Sequence, residues 1–123
     1  MNLVEKELSY TVVGALFAVF NEIGYGHKET VYQRALAAAL REKKLKFREQ
    51  VHTELIAFGE VVGKYYLDFL VEEKIIVEIK ALANFRAMDY RQAKSYLQAT
   101  KLPPAILASF TPDGVRYRRV LNI

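Results

Sequence analysis

The stretch that decides the fold is Asp68-Phe-Leu-Val-Glu-Glu-Lys-Ile-Ile-Val-Glu78-Ile-Lys80. Two apolar, strand-like segments flank a short charged connection at 72–74, a pattern typical of a β-hairpin. Because residues i and i+2 of a strand point to the same face, Glu78 and Lys80 project together, about 7 Å apart along the strand. A buried acid or lysine is costly unless it is paired or bound to a metal. Asp68, Glu78 and Lys80 therefore predict a site for a hard divalent cation with a lysine beside it.

The composition indicates one soluble domain over residues 1–123. Of the 123 residues, 52% are hydrophobic and 26% are charged, which suffices for a real core. The chain has no cysteine, which excludes disulfides, thiolate metal sites and a cysteine nucleophile. No apolar run reaches the roughly 18 residues that span a bilayer, and the first residues do not resemble a secretory signal. We therefore expect a cytoplasmic protein without a membrane partner, and the net charge of +4 is compatible with a polyanionic partner.

Hydrophobic periodicity predicts the element order α-α-β-β-β-α-β-β. The predicted helices span about 3–23, 28–43 and 85–100, and the predicted strands span 47–58, 61–71, 75–82, 105–110 and 115–121. This order describes a mixed α/β domain with a central sheet and helices packed against it. The nearly continuous apolar run from 75 to 79 predicts that the third strand is buried on both faces.

Several sets of apolar residues are predicted to lie on one inward face of their element. They are Leu8, Val12, Leu16, Val19 and Ile23 in the first helix, Val31, Leu36 and Leu40 in the second, Met88, Ala93, Tyr96 and Leu97 in the third, and Phe47, Val51 and Leu55 in the first strand.

Two further motifs join the acidic pair and its lysine. Gly26-His-Lys-Glu29-Thr-Val-Tyr32 opens the second predicted helix, and Gln92-Ala-Lys-Ser-Tyr96 lies on the third. Glu29 and Tyr32 share a helix face, as do Gln92 and Tyr96. With these motifs in this order, nearly the whole chain resembles the GxxExxY proteins of the PD-(D/E)XK nuclease-like superfamily. The resemblance implies a restriction-endonuclease-like α-β-β-β-α-β core.

The resemblance also implies roles for individual residues. Asp68 and Glu78 would be ligands of Mg²⁺ or Mn²⁺, and Lys80 would polarise the attacking water or stabilise developing negative charge. Glu29 would complete the site through a water or a second metal. By the same resemblance, Gln92 and Tyr96 would orient the site or contact the nucleic-acid backbone. The superfamily's nominal proline before the ligand aspartate is replaced here by Leu67.

Elementary chemistry agrees with a magnesium-type site, because Mg²⁺ prefers oxygen ligands and commonly uses only one or two carboxylates. A groove lined by Lys80, Arg86, Arg91 and Lys94 is the phosphate-binding surface that the sequence favours. We see no zinc-type His/Cys spacing, no glycine-rich phosphate loop and no Ser/His/Asp arrangement.

Simpler interpretations remain for most of these residues. Glu78 and Lys80 alone could be an exposed ion pair, Glu29 an acid favoured by a helix dipole, and Tyr32 a core tyrosine. Arg116 and Arg118 share a face of the last strand, where charges often block sheet-to-sheet association. The basic residues at 43–48 are typical of a solvated turn, although they could also follow phosphates.

The sequence thus predicts a metal-dependent nuclease that hydrolyses phosphodiester bonds of DNA, in preference to RNA, through a metal-activated water. The alternative is a catalytically silent module that retains the nuclease fold and binds nucleic acid or a protein partner. A third possibility is a structural subunit in which the triad is only a buried ion-pair network. A homodimer is an expected assembly, because symmetric dimers are common and two cores could address two strands.

Overall fold

The predicted element order is confirmed by the computed structural model, which describes residues 5–81, 84–102 and 104–122. Three helices and five strands occur in these ranges: α1 Lys6–Ile23, α2 Glu29–Glu42, β1 Phe47–Ala57, β2 Glu60–Val71, β3 Ile75–Lys80, α3 Ala87–Thr100, β4 Pro104–Thr111 and β5 Gly114–Leu121. The predicted helix start at residue 3 and strand end at residue 82 lie outside the described residues.

The strands form one mixed sheet in the order β1-β2-β3-β4-β5. β3 and β4 are parallel and are joined through α3, whereas the other neighbouring pairs are antiparallel. β3 occupies the centre, and its residues from Ile75 to Ile79 are all buried. The predicted burial of this strand on both faces is therefore confirmed, as is the class of a central mixed sheet flanked by helices.

Helices cover both faces of the sheet. On one face, α1 and α2 contribute Leu16 and Leu36 to a cluster that also contains Val77 of β3. On the other face, α3 contributes Leu97 to a second cluster that contains Ile76. Alternate residues of β3 thus face opposite layers, as strand geometry requires.

The predicted common face of Phe47, Val51 and Leu55 is wrong for the first two residues. Phe47 packs with the cluster beneath α1 and α2, whereas Val51 packs with the cluster beneath α3. Between them, Gln50 has a φ of 49°, a left-handed conformation that a regular strand lacks. This residue breaks the two-residue alternation, so the side chains after it point to the other face.

Two predicted core residues are instead exposed. Val31 is 40% exposed and Met88 is 52% exposed. In α2, Tyr32, Leu36 and Leu40 form the buried stripe at intervals of four, and Val31 lies about 100° away from it. In α3, the inward position of the first turn belongs to Asp89 rather than to Met88.

Candidate active site

The candidate site lies where β2 and β3 separate. Their backbone pairing extends from Val71–Ile75 to Phe69–Val77, whereas β3 remains paired with β4 as far as Lys80. At the next pair of positions, Asp68 and Glu78, side-chain carboxylates accept the backbone N–H groups that the neighbouring strand would otherwise pair with. The Asp68 N–H donates to Glu78 Oε2 at 2.6 Å, and the Ile79 N–H donates to Asp68 Oδ2 at 2.9 Å. Each carboxylate is therefore hydrogen-bonded to the backbone of the strand that carries the other one.

The change of face in β1 has a counterpart in β2 at Asp68. Leu67 packs beneath α3, while Phe69, two residues later, packs beneath α1 and α2. Gln50 occupies the gap between the pairs Glu49–Phe69 and Val51–Leu67. Asp68 thus lies between two buried residues that anchor opposite faces of the sheet, which fixes the backbone that carries its carboxylate.

Burial and mutual repulsion make the acidic pair electrostatically unfavourable. Glu78 is 3% exposed, and burial, followed by the charge of Asp68, raises its pKa to about 8. Burial also raises the pKa of Asp68, although the Ile79 N–H and the charge of Lys80 oppose that rise. Buried carboxylates of this kind favour protonation or a bound cation.

Lys80 lies beside the pair and is fixed by α3. Its Nζ is 4.0 Å from Glu78 Oε1 and donates a hydrogen bond to Gln92 Oε1 at 2.5 Å. The Lys80 side chain keeps 18% of its surface exposed. The structure therefore brings the predicted residues Lys80 and Gln92 together with Glu78, and an ammonium group borders the solvent-accessible side of the site.

Tyr96 follows Gln92 by one helical turn and is also close to the acids. Its side chain is buried, and its ring lies edge-on to Tyr65 with centroids 5.2 Å apart. Burial, followed by the charges of Glu78 and Asp68, raises the pKa of its hydroxyl. Tyr96 is thus a neutral group at the α3 side of the acidic pair.

Glu29 approaches the pair from α2. Burial and then the charge of Asp68 raise the pKa of Glu29, while the charge of Lys80 lowers it. Glu29 and Lys80 also line a pocket of about 180 Å³ beside the end of β3. The predicted proximity of Glu29 to the other charged residues is therefore present in the structure.

The glycine and tyrosine of the Gly26–Tyr32 motif have structural functions. Gly26 has a φ of 102°, which a residue with a side chain rarely adopts. The Tyr32 hydroxyl donates to the Gly24 carbonyl at 2.6 Å, and its ring stacks on Phe110 with centroids 4.0 Å apart. This tyrosine therefore fixes the loop from which α2 presents Glu29.

The predicted basic groove is not assembled as a continuous surface along α3. Arg86 pairs with the buried Asp89, with its NH2 nitrogen 3.3 Å from Oδ1. Lys94 Nζ donates to the Leu121 carbonyl at 2.9 Å, at the end of the sheet where β4 begins. Arg91 is exposed on α3. Substrate contacts by these three residues stay a prediction.

Asp89 is the residue near the site that sequence reasoning missed. It also accepts the Arg86 N–H at 2.8 Å. Burial, the largest single influence, raises the pKa of Asp89, but the hydrogen bonds from Arg86 and the charges of Arg86 and Lys80 together lower it below its usual value. An acid in the first turn of a helix is a known start signal, and it could have identified this position.

Two carboxylates form the core of the possible metal site. Within the described ranges, no three His, Cys, Asp or Glu side chains are grouped closely enough to hold a metal ion by themselves. One or two carboxylates with several waters are nevertheless the usual protein ligands of Mg²⁺. The oxygen chemistry and the mutual repulsion of Asp68 and Glu78 fit such a cation, whereas Glu29 is not assembled with them as a third direct ligand.

Comparisons with known proteins identify the family. A model of the PD-(D/E)XK nuclease superfamily matches residues 6–120, so the chain belongs to that superfamily. The comparison with curated proteins finds no match. In the parts of the chain that the structure describes, no helix is long and apolar enough to cross a membrane.

Two solved structures share the fold. The crystal structure of SSO0001 is 21% identical, with a TM-score of 0.59, and covers 95% of this chain. An alkaline exonuclease (LHK-Exo) from Laribacter hongkongensis is 14% identical, with a TM-score of 0.57, and covers 100% of this chain. The chain spans 59% of the length of SSO0001 and 73% of the exonuclease.

Proposed function

We propose that this member of the PD-(D/E)XK nuclease superfamily is a metal-dependent nuclease that hydrolyses phosphodiester bonds of DNA, in preference to RNA. The observation that carries the proposal is the convergence of Asp68, Glu78 and Lys80 where β2 and β3 separate. The superfamily match and a structural neighbour described as an alkaline exonuclease support it.

The proposed roles follow from the contacts of each residue. Asp68 and Glu78 would hold Mg²⁺ or Mn²⁺ through the oxygens that do not bind backbone N–H groups. When bound, the cation would lower the pKa of a coordinated water and neutralise charge on the phosphoryl oxygens. Lys80 would place positive charge where negative charge develops, and Gln92 would keep its ammonium in position. Glu29 would act through a bound water.

The finer assignments belong to the same proposal. Membership of the GxxExxY group is supported by the conformation of Gly26 and by the anchoring contact of Tyr32. A cytoplasmic location is supported by the absence of cysteine, which suits a reducing compartment. A homodimer would allow two cores to address two strands.

The alternative is a silent binding module, and two observations favour it. One oxygen of Asp68 and one of Glu78 already accept a backbone N–H of the opposite strand. In addition, no three ligating side chains among the described residues are grouped to hold a metal ion. Such a module would bind nucleic acid or a partner without metal and without turnover.

The deciding experiment combines Mn²⁺ titration calorimetry with a DNA cleavage assay. The variant Asp68→Ala/Glu78→Ala is compared with the control Glu54→Gln/Glu60→Gln, which alters two exposed acids of the β1–β2 hairpin. We expect metal binding and cleavage in the wild type and the control, and neither in the alanine variant. Cleavage that persists in the alanine variant would refute the assigned site, while DNA binding that survives EDTA without any cleavage would establish the silent module.

A further inference from the structure

The sheet register places two arginines of β5 in line with the candidate site. Lys80 pairs with Ser109, which pairs with Arg116, and Glu78 pairs with Leu107, which pairs with Arg118. Directly paired residues of neighbouring strands point to the same face of a sheet. Because neighbouring strands lie about 4.8 Å apart, Arg116 lies about 10 Å from Lys80 across the sheet.

Both arginines are exposed, and each has N–H donors that its hydrogen bond to the rest of the protein does not use. Arg116 NH1 donates to Asn84 Oδ1 at 2.5 Å, and Arg118 NH1 donates to the Tyr117 carbonyl at 2.9 Å. A guanidinium has five N–H donors, so each contact occupies only part of the group. The bond to Asn84 also ties Arg116 to the segment that leads into α3.

Lys94 continues this line of positive charge towards the other end of β5. Its ammonium binds the carbonyl of Leu121, the last residue of the strand. We call Arg116, Arg118 and Lys94 the edge stripe.

Little negative charge opposes the edge stripe. β5 itself, from 114 to 121, contains no acidic residue. The one acid of α3, Asp89, is 2% exposed and is paired with Arg86. The stripe is therefore a strip of positive charge that begins two strands, or about 10 Å, from Lys80.

We propose that the edge stripe binds the sugar–phosphate backbone of the nucleic-acid strand and directs it to the acidic pair, an inference that rests on the proposed nuclease function. Arginine binds phosphates through paired N–H donors, and contacts to the phosphate backbone are independent of the base sequence. β5 is an edge strand of the sheet, so a nucleic-acid strand can run along it without displacing another element of the protein. The edge stripe thus keeps Lys94 of the predicted groove and replaces Arg86 and Arg91 with Arg116 and Arg118 as the main phosphate contacts.

The simpler interpretation, that these charges only keep sheet edges apart, predicts a different result. If the arginines served only that purpose, their removal would promote self-association and would leave DNA affinity unchanged. The two interpretations can therefore be separated by a binding measurement.

The test measures binding of a fluorescent DNA oligonucleotide by anisotropy, in EDTA and over a range of salt concentrations. Arg116→Gln/Arg118→Gln is compared with Arg34→Gln/Lys64→Gln, which removes the same charge from exposed positions on α2 and β2. Each lost phosphate contact lowers the slope of log affinity against log salt by about 0.9, so we expect a decrease of about 2 for the stripe variant and little for the control. Lys94→Gln should lower the slope by about one further contact.

Three outcomes would overturn the inference: no DNA binding by the wild type, equal losses in the two double variants, or an unchanged slope in the stripe variant. Circular dichroism and the melting temperature verify that each variant is folded. Because binding is measured without metal, stripe-dependent binding by a protein that never cleaves would refute the nuclease proposal alone. Metal-dependent cleavage with unchanged binding in the stripe variant would refute the stripe alone.

Discussion

The buried charge of Glu78 should destabilise the metal-free protein, and Glu78→Gln should remove that effect. A glutamine keeps an oxygen that can accept the Asp68 N–H, so the strand contact survives. The folded pKa is raised from 4.5 to about 8, so between these pH values the folded state binds more protons than the unfolded state. The wild type should therefore lose stability as the pH rises through this window. The variant should lose less, because, of the three acids at the site, only Asp68 and Glu29 keep raised pKa values.

The size of the effect follows from the pKa. A rise from 4.5 to about 8 corresponds to an upper limit of about 5 kcal/mol. Relaxation around the charge and the lost attraction to Lys80, 4.0 Å away, reduce this value. Replacement of a whole buried ion pair by apolar residues is often neutral or stabilising by about 1–4 kcal/mol, which gives the scale. We expect Glu78→Gln to be about 2 kcal/mol more stable than the wild type at pH 9 and nearly equal to it at pH 4.

Urea unfolding in EDTA at pH 4, 7 and 9, followed by circular dichroism, measures this difference. Glu60→Gln, an exposed position in the β1–β2 hairpin, is the control; it keeps Glu78 and should therefore lose stability with rising pH as the wild type does. A divalent cation at 100 times its Kd should stabilise the wild type by about 2.7 kcal/mol and should have a much smaller effect on Glu78→Gln. A variant that is equal to or weaker than the wild type at pH 9 in EDTA would refute the reasoning.

Three other substitutions separate chemistry from structure. In the proposed mechanism Lys80 lies beside the reacting phosphate, so Lys80→Met should lower kcat about 100-fold or more. Gln92→Ala, which only frees that lysine, should cost about 10-fold. Steady-state cleavage at saturating DNA measures both, and strong destabilisation by Lys80→Met with no effect of metal would instead indicate a structural ion-pair network. Tyr32→Phe should cost about 1 kcal/mol, because it removes the bond to Gly24 and keeps the stack on Phe110. Thermal unfolding tests this value, and an unchanged melting temperature would show that the hydroxyl contributes nothing.

Much of the fold could be predicted because its signals are local. The apolar run of β3 and the charged connection before it need no knowledge of distant residues, and both predictions were correct. The common face of Glu78 and Lys80 follows from the two-residue period of a strand, whereas the place of Gln92 at the site was implied by the resemblance to the superfamily. The proximity of these side chains was therefore foreseeable, although their chemical roles stay predictions.

The remaining features depend on contacts that no local pattern encodes. Gln50 adopts a left-handed conformation without being glycine, so nothing in the sequence marks the position where β1 changes face. Long basic side chains bind whichever acceptor the fold brings near. Lys94 reaches Leu121, 27 residues away, and Arg116 reaches Asn84, 32 residues away. The sequence located the positive charges, but only the sheet register shows which of them share a face with the acidic pair.

The separation of β2 from β3 explains how one small fold can keep two buried acids together, as the proposed metal site requires. Strands that part would leave backbone N–H groups without partners, and one oxygen of Asp68 and one of Glu78 accept two of those groups. Each carboxylate has a second oxygen, so a cation can bind without breaking these contacts. The hydrogen bonds that bridge the separating strands therefore also hold the two carboxylates in place. It follows that metal binding should relieve electrostatic repulsion without rearranging the sheet.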